Sequence, residues 1–444
     1  MELKNTVLLR DTEAFMRGEL DNVTVAEGNI RLDMVQGSYV PYGCYTTPAL
    51  PMPVFDALRV SWNASTPRGT AVEMQARLMV DGNWTGWTSF GRWSPYISRE
   101  GAAEMTRGAL TVRQDQLLLD SKTALQAQLR IYLYTKDDKQ TPGVSLIGAS
   151  VKLRDVIPAG GRPVNDRLHL LPYVVARRAP ALRPVMDLAI CLCSLTNRWG
   201  ADLLPEELAL AMWDRAKACD PRNPSFAAAV AGCWGFPTWV RWADLALLRA
   251  EIRAGFGIIV ALDSTPAQCE AGLPAVRYAA VRGFRHAPDG QPMVLLIDPW
   301  AGEQDFDAET EMPLDEFLVA WNNLALCMRN RPHGPTAGCP ERAGVRLRHP
   351  DDASDNIYRM TLLSGDALRL PDEFCGDAPV PDGVLAWSIP DEHPHATTAH
   401  RLMHYTAPEE GGIRLENPTG NFCKFTVYAI DSTGKMLVGD VVLS

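Results

Sequence analysis

The stretch Asp187-Leu188-Ala189-Ile190-Cys191-Leu192-Cys193-Ser194-Leu195-Thr196-Asn197-Arg198-Trp199-Gly200 is apolar nearly all round in its first half. A helix of that kind belongs in the interior of a domain, because a surface helix carries its apolar residues on one stripe only. Gly200 supplies the ordinary C-terminal stop. Working outward, Pro205 suits the first position of a second helix running over 206–219. A further helix spans 243–254 and stops at Gly255. Three strand candidates follow, at 257–263, 277–284 and 292–298, the last two joined through the turn signal Pro288-Asp289-Gly290. Helices first and an antiparallel sheet after them define an α+β unit, assigned to residues 161–342.

The flanks differ from this centre. Residues 1–160 show short alternating runs around 58–62, 72–78 and 125–131, punctuated by Pro67-Arg68-Gly69 and Asp81-Gly82-Asn83. That spacing predicts an antiparallel β-sandwich of jelly-roll or carbohydrate-binding type. Trp62, Trp84, Trp87 and Trp93 lie in this region. They are candidates for a carbohydrate-stacking platform, although tryptophans filling a sandwich core is the plainer reading. Residues 343–444 read as a small C-terminal β-sandwich, with strands near 413–415, 424–430 and 436–443. The chain is thus expected to be multidomain, with boundaries near 160 and 342.

Composition narrows the functional classes. A net charge of −10 gives no basic footprint, so nucleic acid and anionic membranes are not expected partners. The first residues carry Glu2, Lys4, Arg10, Asp11 and Glu13, without the apolar core of a signal peptide, and no run reaches the length of a membrane span. Ten cysteines occur without a CxxC pair, which reads as reduced thiols and not a disulfide frame. The expected location is cytoplasmic, or extracellular if an export signal has been removed. No GxSxG elbow, P-loop or GxGxxG fingerprint is present, and no cofactor is expected. Half of the eight histidines fall between His393 and His404. Their His400/His404 spacing is a weak metal candidate, and without an HExxH pattern no metal site is assigned.

In order along the centre stand Leu171-Pro172-Tyr173, the helix ending Trp199-Gly200, and Asn223-Pro224-Ser225-Phe226 before an Ala-rich helix. Tyr278-Ala279-Ala280-Val281-Arg282-Gly283-Phe284, Ile297-Asp298-Pro299 and the Phe317 to Trp321 stretch come after. This succession resembles the papain-superfamily cysteine peptidases of family thirty-nine, which process bacteriocin leaders. Ser61-Trp62-Asn63-Ala64 with Thr66-Pro67, Gly82-Asn83-Trp84, Trp87 and Gly91-Arg92-Trp93-Ser94 resemble the β-sandwich that precedes such domains in bacteria. The resemblance covers about three quarters of the chain. It implies a leading strand at 171–173, a nucleophile helix at 187–199 and a late helix at 317–321.

Catalysis in that fold requires a thiolate at a helix N-terminus, a histidine base, a residue orienting the histidine and a glutamine for the oxyanion. Aligned on the resemblance, the nucleophile position falls on Asp187, the histidine position on Arg277 and the glutamine position on Ala176. The orienting position alone matches, at Asp298. A carboxylate does not replace a thiolate as an acyl-forming nucleophile, and arginine keeps its proton. Loss of the nucleophile alone costs about a millionfold in a comparable triad.

Asp187, Arg277 and Asp298 preserve the sign pattern of the active constellation. Arg277 is expected to hold both carboxylates through its fork of donors; the alternative is that Asp187 simply caps its helix. Cys191, one turn into the helix, and Cys193 are the alternative nucleophiles. Inside the helix each lacks the free amides that activate a terminal cysteine. Trp234, Trp239 and Trp300 mark ligand binding if exposed and core if not. The reading is a catalytically inactive cysteine-peptidase-like protein that binds a peptide, glycan or protein partner. The alternative is an active papain-superfamily hydrolase using a displaced cysteine.

Overall fold

The computed structural model describes residues 4–95, 101–153, 160–178, 183–201, 203, 205–212 and 222–330, with strand segments between 347 and 443. It is mostly β-structure, with few helices and one large antiparallel sheet.

The N-terminal strands follow their period-two pattern closely. In Thr70–Val80, Val72, Met74, Ala76 and Leu78 are buried, while Glu73, Gln75 and Arg77 face outward. In Ala124–Thr135, Ala127, Leu129, Ile131 and Leu133 are buried against Gln128, Arg130, Tyr132 and Tyr134. The pairing Arg130↔Gln75 and Tyr132↔Glu73 sets both outward rows side by side. Fourteen strands hydrogen-bond into one continuous network, whereas the sequence suggested two separate sheets. The reason is the sixteen-residue strand Leu50–Ser65, long enough to pair with Gly143–Leu153, Ala124–Thr135 and Gln116–Leu119 at different places. Trp62 and Trp93 are fully buried in the core these strands enclose.

The second unit is α+β, with three helices ahead of a six-stranded antiparallel sheet and a fourth after its first strand, where the sequence reading placed helices first and a three-stranded sheet after them. The helices are Asp187–Arg198, Pro205–Met212, Pro224–Cys233 and Leu245–Arg253. The sheet runs Thr238–Trp242, Trp321–Met328, Ile258–Asp263, Val276–His286, Pro292–Ile297, Glu309–Pro313. Ten residues of the Asp187 helix are buried, which accounts for its apolar circumference. Gly257 lets the Leu195 side chain of that helix pack close on the sheet, since a Cβ there would lie 2.5 Å from it and the leucine would have to shift.

Two local expectations are corrected. Leu171-Pro172-Tyr173 forms no strand, because Pro172 offers no amide. Pairing is confined to the preceding residues, where Leu168 N donates to Arg282 O and Arg167 bridges Gly283. The late helix spans Leu314–Ala320, and Trp321 already begins the next strand.

The two units share one apolar core. Asn63 of the Leu50–Ser65 strand is 1% exposed and donates to Ala228 O (3.0 Å) and Thr238 O (2.8 Å), while accepting from Thr238 N (2.9 Å). Ser225 Oγ donates to Val60 O, Trp242 N donates to Ser150 Oγ (3.0 Å), and Trp62 meets Phe226 edge to face. In the C-terminal part, Cys423–Ile430 pairs with Met436–Leu443, and Arg401–Thr406 pairs with Leu385–Trp387 and Arg414–Glu416. The boundaries near 160 and 342 fall beside or within residues outside the described ones, as does His400. His404 lies in a strand opposite Glu416.

Candidate active site

Asp187 is the first residue of its helix and is completely buried. Met186 ahead of it provides no side-chain cap. Asp187 Oδ1 therefore takes up one of the unpaired first-turn amides, Leu188 N at 2.9 Å. Its Oδ2 reaches the sheet, accepting from Tyr278 N (3.0 Å) and Trp300 Nε1 (3.3 Å). Burial raises the carboxyl above the ordinary range, opposed by Arg222 and by those three donors. The helix-capping reading is thus half of its role; the other half is a tie between helix and sheet.

Arg277, 3% exposed, pairs through NH1 with Asp298 Oδ2. Asp298 Oδ1 accepts from Trp300 N (3.1 Å). The expectation that Arg277 holds both carboxylates is corrected: no hydrogen bond joins it to Asp187 among the described residues, and Arg277 Nε is buried without a partner there. The backbone amide of Tyr278 meets Asp187 first, because it lies on the strand edge facing the helix terminus. Arg222, which the sequence reading missed, supplies the positive field at Asp187. No local pattern announces it, since it precedes a helix cap and reaches the site only through folding.

Cys191 is buried among these groups. Burial pushes its thiol well above the ordinary value, and Asp187 and Asp298 push it further, against Arg277. Cys193 points elsewhere, donating to Leu203 O (3.0 Å) and accepting from Asn197 Nδ2 (3.2 Å). Ala176 sits in the short turn Val175–Arg177, which touches the loop after Asp298 through Val175 N to Pro299 O (2.8 Å). Ala176, the residue expected at the oxyanion position, is therefore next to the loop after Asp298 and offers only a methyl group. His286 ends its strand exposed, away from the cluster. The phenol of Tyr278, fully buried, lies in the field of Asp187 and Arg222 and also of Arg59 and Asp115, an ion pair of the N-terminal sheet.

Of the other candidates, Trp234 and Trp239 are core, and Trp300 is half-buried over Asp187. Trp62 and Trp93 are core as well, which removes them from any binding platform. Trp84 and Trp87 are half-buried on the outer sheet face. Among the described residues no group of three or more His, Cys, Asp or Glu side chains converges as metal ligands, and no helix is long and apolar enough to cross a membrane.

Residues 6–151, a third of the chain, match the family model of the Peptidase C39 N-terminal domain. The peptidase domain of Streptococcus ComA, a bi-functional ABC transporter involved in a quorum sensing pathway, is similar at 19% identity with a TM-score of 0.25. That match covers 38% of this chain and 98% of that one. No curated protein matches the chain.

Proposed function

We propose that this protein is a catalytically inactive relative of the leader-processing cysteine peptidases, retained for binding a partner. The observation that carries the reading is that the nucleophile and base positions hold Asp187 and Arg277, both buried and committed to structural hydrogen bonds. A peptide bond cannot reach Asp187 without displacing Trp300 and breaking the helix–sheet tie. The displaced-cysteine alternative loses its support in the burial and raised thiol of Cys191, since the thiolate is the nucleophile. Cys44, Cys191, Cys269 and Cys327 are free thiols, the state that a reducing compartment maintains.

The test is hydrolysis of a broad fluorogenic peptide panel and of casein, with and without a thiol-blocking reagent. No turnover is expected in either condition. Turnover abolished by the blocker would overturn the reading and direct attention to Cys191→Ala and Cys193→Ala.

A further inference from the structure

The outer face of the N-terminal sheet carries an arrangement that packing does not explain. Arg77 lies over the rings of Trp84 and Trp87, 4.7 and 4.5 Å from their centroids, and Arg130 lies over Trp87 and Tyr132 at 4.2 and 5.1 Å. Guanidinium groups and aromatic rings therefore share one surface, and the ring faces are already occupied by cations. This argues against a platform for stacking neutral sugars. Each guanidinium is fixed by a glutamine and not by a carboxylate: Arg77 Nε and NH2 donate to Gln128 Oε1 (2.9 and 2.6 Å), and Arg130 Nε donates to Gln75 Oε1 (2.7 Å). Neither arginine forms an ion pair among the described residues.

The nearest acid, Glu73, is saturated. Its carboxylate accepts from Gln75 Nε2 (2.7 Å), Ser89 Oγ (2.9 Å), Tyr134 OH (3.1 Å) and Arg92 Nε (3.4 Å). Burial works to raise its pKa, but these donors hold it below the usual range, so it is ionised and has no charge to spare for Arg77 or Arg130. Two fixed guanidinium groups flank one indole with their charge uncompensated and terminal N–H groups unspent. Beside them opens a cavity of about 490 Å³, lined by Glu73, Trp87, Ser89, Arg92, Met105 and Arg107. That volume lies in the range of small-ligand sites.

We propose that this face binds an acidic oligosaccharide, its carboxylates held by Arg77 and Arg130 and an adjoining sugar ring seated in the cavity. Arginine forks match carboxylates bidentately. An extended acidic peptide is the weaker fit, since peptides typically pair with a sheet edge through backbone bonds and these groups stand on a sheet face. The chain's net charge of −10 opposes indiscriminate attraction of polyanions, so binding here must be local.

The test is calorimetric titration of the full chain with oligogalacturonate, with neutral maltodextrin and with poly-glutamate. Saturable binding of oligogalacturonate alone is expected, weakened about tenfold or more by Arg130→Gln and by Arg77→Gln, a loss of about 1.4 kcal/mol, and unchanged by Asp187→Asn. Melting curves verify that the variants fold; should Arg130→Gln not fold, Arg107→Gln at the cavity rim replaces it. No binding of oligogalacturonate, equal binding by the folded variants, equal binding of maltodextrin, or tighter binding of poly-glutamate would each overturn the proposal.

Discussion

At the residue scale, Asp187 and Arg277 are buried and hydrogen-bonded across the helix–sheet contact and the sheet end. The Arg277–Asp298 pair is largely buried, so removing one member leaves a charge without its counter-ion, which costs far more than the pair itself contributes. Arg277→Ala is expected to lower stability by about 2 kcal/mol or more, and the double variant with Asp298→Ala to recover part of that loss. Urea unfolding of the three proteins measures this; an unchanged midpoint for Arg277→Ala would count against the pairing. Asp187 gives a pH signature. Its folded pKa is raised above the unfolded carboxylate value, so the native state binds its proton more tightly. Its contribution is therefore fully present at low pH and is lost as pH rises through the raised value. Asp187→Asn cannot titrate, and the stability of wild type relative to this variant should fall as pH increases. A difference that stays level or grows would contradict the burial argument. The carboxylate at 187 and the guanidinium at 277 were legible in the sequence, since residue identity needs no structure. Their partners were not: Tyr278 N, Trp300 and Arg222 lie 35 to 113 positions from Asp187 and meet it only on folding.

At the element scale, helix and strand identity followed from local pattern wherever burial is one-sided or complete. The Asp187 helix and the strands Ile258–Asp263, Val276–His286 and Pro292–Ile297 lie within a residue or two of their expected bounds. Asn63 shows the limit of this logic. In an alternating strand it occupies a polar position that is nevertheless sealed, because the helix Pro224–Cys233 and the strand start at Thr238 close over it. Gly232 is part of the same fit, since a Cβ there would sit 2.4 Å from the Asn63 side chain. Asn63→Ala removes the bond to Ala228 O and leaves the carbonyl and amide of Thr238 without their Asn63 partner in the interior, at about 1–3 kcal/mol for each group that finds no water. A drop of about 3 kcal/mol in denaturant unfolding is expected; a loss below about 0.5 kcal/mol, the scale of a surface change, would show that the contact is not a structural tie.

At the scale of the whole molecule, the N-terminal sheet and the helix-first unit are welded by a common core, and the Arg59–Asp115 pair of one stands in the field of Tyr278 of the other. Asn63→Ala should accordingly lower a single calorimetric transition of these two units without splitting it. In the same geometry Asp187, Arg277 and Cys191 are buried, while the outer face of the N-terminal sheet carries the half-buried Arg77 and Arg130. The sequence by itself determined most element types, the apolar cores and the carboxylate and guanidinium at positions 187 and 277, because periodicity and residue chemistry act over neighbouring positions. Tertiary structure alone decided that Asp187 binds a strand amide and an indole where Arg277 was expected, that Trp62 and Trp93 are core, and that Arg77 and Arg130 bracket Trp87. Those outcomes depend on contacts between distant segments, whose distances are set by packing and carry no imprint in local spacing.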